Sequence, residues 1–93
     1  MKLQTATSQE VEDYLKSCTG IVLPTGSLEQ HGPVGLIGTD AICVETIAQS
    51  AAEQSNMLVA PVLNYAPAQF NLGFSGTISL SAETFAKVFT EIT

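Results

Sequence analysis

Ile21-Val22-Leu23-Pro24-Thr25-Gly26-Ser27-Leu28-Glu29-Gln30-His31-Gly32-Pro33-Val34-Gly35-Leu36-Ile37-Gly38-Thr39-Asp40 runs from a short apolar segment through a glycine-rich loop to the start of a helical pattern. The triplet Ile21-Val22-Leu23 reads as a buried strand. Thr39 or Asp40 can cap a helix whose apolar positions Ile42, Cys43, Ile47, Ala48, Ala51 and Ala52 form one stripe down to about Gln54. Met57 to Val62 reads as the next strand. Two apolar strands joined by a helix make a βαβ unit, which sets the strands parallel and packs the helix on the sheet. The fold class is therefore α/β.

Upstream of this unit, Thr7-Ser8-Gln9-Glu10 fits a capping box, and Val11, Tyr14, Leu15 and Cys18 recur at helical spacing before Gly20 ends the pattern. Downstream, Asn64 to Ser75 is rich in Ala, Pro, Asn and Gly and reads as a long loop. Its Tyr65, Phe70 and Phe74 either wall a pocket or plug the loop onto the core. Gly76-Thr77-Ile78-Ser79-Leu80 reads as a short strand. Ser81 can then cap a third helix, with Leu80 and Phe85 as a hydrophobic staple and Phe85, Ala86, Phe89 and Ile92 along one face. That pattern reaches Thr93 without glycine, proline or a basic last turn, so it reads as cut inside an element.

The 93 residues suit one domain, 1–93, with a small core. Hydrophobic residues make up 45% and charged residues 13%, so some apolar surface is expected to meet another chain or a further part of the same one. Nine acids against Lys2, Lys16 and Lys87 give a net charge of −6, which repels nucleic acid. The start lacks the parts of a secretory signal, and no window approaches the roughly 18 apolar residues that span a bilayer. A cytoplasmic protein without membrane partners is expected. Cys18 and Cys43 fall on apolar helix stripes without zinc-knuckle spacing and are expected to be buried free thiols.

The chemistry concentrates in the first loop. Glu29 and His31 are two residues apart, so in extended backbone their side chains leave the same face, and Asp40 stands where the chain turns into the next helix. Open parallel sheets place their sites at the carboxyl ends of strands, where this loop begins. Imidazole with carboxylate suits zinc or manganese, and a carboxylate can bridge two ions. From spacing alone, a hydrogen-bonded surface pair is the competing reading. Gly32, Gly35 and Gly38 carry neither a dinucleotide fingerprint nor the lysine of a phosphate loop, and read instead as sites of tight backbone turning. Ser27 with His31 and Asp40 lacks the strand-to-helix elbow of a serine nucleophile.

The run Leu23-Pro24-Thr25-Gly26-Ser27-Leu28-Glu29-Gln30-His31-Gly32-Pro33 followed by Gly38-Thr39-Asp40 resembles the signature of the creatininase (creatinine amidohydrolase) family. A second similar block is Leu72-Gly73-Phe74-Ser75-Gly76-Thr77-Ile78-Ser79-Leu80, where relatives commonly carry proline in place of Ser75. The resemblance implies a three-layer α-β-α fold with a mainly parallel sheet, of which this chain would be the amino-terminal part. It implies a metal-dependent amidohydrolase, often hexameric, that opens a small cyclic or linear amide, such as creatinine to creatine, using two divalent ions, zinc or manganese. Carried over by position, Glu29 binds one ion, His31 the other, and Asp40 bridges them. Pro33-Val34-Gly35-Leu36 departs from the Pro-His-Leu-Pro of relatives, which touches substrate choice. Family enzymes are more than twice as long, and their second half adds a histidine from an Asn-Gly-His segment and a glutamate. The alternative expectation is a truncated, non-catalytic domain that self-associates through an unfinished sheet edge.

Overall fold

A computed structural model describes all residues from Met1 to Thr93. The order of its main elements is α1 (Ser8–Leu15), β1 (Ile21–Val22), α2 (Thr39–Ser55), β2 (Leu58–Val59) and α3 (Ala82–Ile92), with short 3-10 turns at Leu3–Thr5 and Gln69–Asn71. The βαβ unit is present: β1 and β2 pair in parallel, with Ile21 opposite Leu58 and Val22 opposite Val59. This is an α/β fold.

The sheet is shorter than the sequence suggests. Regular pairing stops after Val59 and resumes only as an isolated parallel bridge between Thr25 and Leu63. Pro24 and Pro61 lie in the gap, and neither has an N–H to donate to a ladder. On the other side of β2, Lys2 makes a parallel bridge to Val59, and the Val59 amide donates to the Met1 carbonyl at 2.9 Å. The amino terminus thus supplies a neighbour for β2 that no sequence pattern announced. Gly76 to Leu80 is not a strand but a single antiparallel bridge, Leu28 to Ile78.

The helices begin where local chemistry lets them. Thr7 accepts from the Glu10 amide while the Glu10 carboxylate accepts from the Thr7 amide, closing the expected capping box on α1. Ser81 caps α3 by accepting from the Thr84 amide. For α2 the expected cap is wrong: Gly38 occupies that position without a side-chain bond. Thr39 turns its hydroxyl to the Leu36 carbonyl, and Asp40 points its carboxylate at His31. The cap is given up to another contact. The carboxyl end closes at Asn56, whose φ of 55° is the left-handed conformation that terminates helices.

Ala48 and Ala52 of α2 lie on Val59, with Val22 and Met57 packed around them. Small side chains let the helix approach the sheet closely. Tyr14 ties α1 to the same sheet: its hydroxyl donates to the Gly20 carbonyl at 2.6 Å and accepts from the Leu58 amide at 3.1 Å. The Cys18 thiol rests 3.0 Å from that hydroxyl.

Only 10 of 93 residues are buried. Ile21 is therefore not the buried strand residue expected, and Ile47 on α2 is 69% exposed. Both cysteines are free, but Cys43 is exposed, because the apolar stripe of α2 extends beyond what the sheet covers, and Cys18 is only half-buried, because α1 ends at Leu15 and leaves it outside the helix. Tyr65, Phe70 and Phe74 also stand exposed rather than plugging their loop onto the core. No helix is long and apolar enough to cross a membrane.

Candidate metal centre

The loop after β1 folds back on itself, with the Glu29 amide donating to the Ile37 carbonyl at 3.2 Å. Gly35 permits the turn: a Cβ there would collide with the carbonyl oxygen of His31 and lie 2.7 Å from its Cβ. Gly26 sets the opposite wall, because a Cβ at that position would sit 2.8 Å from the Cα of Ala41 in the first turn of α2. The strand exit and the start of α2 can therefore touch backbone to backbone. That contact carries Asp40 to the loop.

Glu29, His31 and Asp40 consequently converge, each offering a ligand atom within 4.8 Å of the others. His31 Nδ1 lies 3.0 Å from the Glu29 carbonyl oxygen, so this nitrogen carries the proton, and Nε2 faces Asp40 Oδ1 at 3.3 Å. The imidazole is raised above its ordinary value of 6.5, first by the bond to the Glu29 carbonyl, then by the Asp40 and Glu29 carboxylates, against partial burial. His31 and Asp40 keep 29% and 38% of their side chains in solvent, so an ion could reach them. One nitrogen and two carboxylates at this separation form a donor set of the kind that holds zinc or manganese.

The three candidate ligands named from the sequence are thus brought together. Ser27 is buried at 8% exposure and its hydroxyl has no partner, so no base activates it. The sequence reading missed how the 71–78 segment braces the loop. Thr77 Oγ1 accepts from the Gln30 amide at 3.1 Å, the Ile78 amide donates to the Leu28 carbonyl at 2.9 Å, and Asn71 reaches Glu29 itself. The only signal was that Thr77 and Ile78 lie in the second family-like block and Asn71 directly before it. Phe74 and Ser75 face Gln30, Gly32 and Gly35 across an open hollow of about 450 Å³ beside the ligand loop.

Residues 4–93 match the Creatininase family, described as creatinine amidohydrolase. The chain belongs to the creatininase family. It is 32% identical over 83 residues to a 3-dehydro-scyllo-inosose hydrolase of Thermotoga maritima, covering 88% of this chain and 27% of that protein. It is 30% identical over 100 residues to a mycofactocin precursor peptide peptidase of Mycobacterium tuberculosis, covering 97% of this chain and 39% of that protein. A solved mutant creatininase complexed with creatine superposes with a TM-score of 0.89 at 29% identity, over 98% of this chain and 37% of that one. Another mutant creatininase, of a Zn-Zn type, gives 0.85 at 28% identity, over 98% of this chain and 38% of that one. The fold is that of the family, and this chain spans well under half of each relative's length.

Proposed function

We propose that this chain carries the amino-terminal ligand set of a metal-dependent amidohydrolase, with Glu29 on one divalent ion, His31 on a second and Asp40 bridging them. The observation that carries this reading is the convergence of the three donor groups within 4.8 Å. When bound, divalent ions there would supply Lewis acidity for an amide carbonyl and would lower the pKa of bound water to about 7. The residues of this chain hold and orient. The Glu29 carbonyl accepts a hydrogen bond from His31 Nδ1–H, which leaves the Nε2 lone pair available to an ion and fixes the ring plane. Asp40, held at the start of α2, presents a carboxylate to that nitrogen. The hollow beside Gln30 and Phe74 is open enough to admit a small amide substrate.

In the complete site the expected histidine and glutamate of the family's second half would finish the ion pair, and a hexamer is the assembly we infer. Calorimetric titration of zinc and of manganese into the purified chain tests the ligand set. Tight binding by the parent and its loss in His31→Ala are the expected results; equal heats from both chains would reject the site.

A second reading is favoured by the exposed apolar surface: a non-catalytic domain that self-associates. Val22, Leu23, Val44, Ile47 and Ala51 line an open groove of about 590 Å³ between the strand exit and α2. Both readings can hold for the same molecule.

A further inference from the structure

Glu29 is the one proposed ligand whose carboxylate is held by a side chain from outside the ligand set. Asn71, 8% exposed at the end of the 3-10 turn, donates from Nδ2 to Glu29 Oε2 at 3.2 Å across 42 residues of sequence. Its Oδ1 accepts from Gln30 Nε2 at 3.0 Å, and Gln30 Oε1 accepts from the Gly32 amide at 2.9 Å. The direction of this chain is dictated by its ends. A backbone N–H can only donate, so Gln30 must turn its oxygen to Gly32 and its NH2 to Asn71; Asn71 must then turn its own NH2 to Glu29, whose carboxylate can only accept. Each link fixes the next.

We propose that Asn71 is a positioning residue for the cation site: it occupies one oxygen of Glu29 so that the other is presented to an ion in a set orientation. The inference rests on the metal reading above and adds a role to a residue outside the ligand set. A glutamate side chain left free would have to give up its rotamer freedom when the ion binds. Here that ordering is done before the ion arrives, by a buried amide whose own polarity is locked by the loop it braces. Outer partners of this kind typically change metal affinity by 10- to 100-fold. The same amide also couples the 69–71 turn to the ligand loop, so the two segments hold their relative position through one hydrogen-bonded chain.

The test is a double-mutant cycle on zinc affinity, measured by competition with a chromophoric chelator in the parent, Asn71→Ala, Glu29→Gln and the double variant. Asn71→Ala is expected to weaken zinc binding by about tenfold in the parent and to have no further effect in the Glu29→Gln background. A purely structural role would cost the same in both backgrounds, and that result would overturn the proposal. A parent chain that binds no zinc would overturn the cation reading and this role with it. A second measurement needs neither metal nor an Asn71 variant that folds. In the 1H–15N spectrum of the metal-free chain, the Asn71 side-chain amide pair should shift in both Glu29→Gln and Gln30→Ala. If it stays in place in both, the hydrogen-bonded chain does not exist and Asn71 positions nothing.

Discussion

At the scale of single residues the centre turns on His31, whose ring is bonded at one nitrogen to a carbonyl and faces a carboxylate at the other. Its pKa is raised above 6.5, so in the metal-free chain its contribution to stability is complete below about pH 6.5 and fades as pH climbs through the folded value. Melting temperatures of the metal-free parent and of His31→Ala should therefore differ most at the acid end and converge toward alkaline pH. A gap that widened with rising pH would contradict the arrangement. Zinc competes with a proton for the same nitrogen, so its apparent affinity should move the opposite way and rise with pH. That Glu29, His31 and Asp40 would meet was legible in the sequence from their residue types, their nearness in the chain and the resemblance to the creatininase signature. Asn71 was not. An amide in a loop rich in Ala, Pro and Gly carries no signal until the fold lays it against Glu29.

At the scale of elements, the site depends on how closely the strand exit crosses the start of α2. Gly26→Ala would drive a methyl into the backbone of Ala41, and the neighbour cannot give way as a flexible side chain would. Overpacking of this sort costs about 1–3 kcal/mol. The variant should melt at lower temperature and bind zinc more weakly than the parent, since Asp40 rides on the displaced turn. Wild-type affinity in a destabilised Gly26→Ala would show that Asp40 is placed by something else. The starts of α1 and α3 were readable from local patterns: the Thr7–Glu10 capping box, the Ser81 cap and the 3.6-residue spacing act within a few residues and survive any tertiary setting. Strand lengths were not, because pairing at Pro24 and Pro61 depends on which residues face each other across the sheet. The cap of α2 also escaped sequence reasoning, as Asp40 satisfies His31 instead of its own helix.

At the scale of the whole molecule, surface is the dominant fact. A folded monomer of 9.8 kDa is expected to expose about 5,200 Å², whereas this chain exposes 6202 Å². Its radius of gyration is 15.3 Å, against about 12 Å for a compact domain of this length. Large apolar side chains stand in that surface, with Ile42 at 53% and Ile47 at 69% exposure on α2 alone. Sedimentation equilibrium of the isolated chain should accordingly show association as concentration rises. Ile47→Lys, which places a charge in the groove without disturbing a buried position, should shift it toward monomer. A parent that remained monomeric up to about 100 μM would remove the second reading. The composition had already indicated unpaired apolar surface; which residues compose it was decided by how little of α2 the two short strands cover.

The sequence by itself determined the α/β class, the places where α1 and α3 begin, and the residue types able to hold a divalent cation. These follow from periodicity, caps and ligand chemistry, all of which are written within short stretches of chain. Tertiary structure alone decided that Asn71, Thr77 and Ile78 brace the ligand loop, that Gly26 lets α2 bring Asp40 to His31, and that β2 gains a neighbour from the amino terminus. Such contacts join residues many positions apart, and no local pattern specifies which distant partner a hydrogen-bonding group will meet.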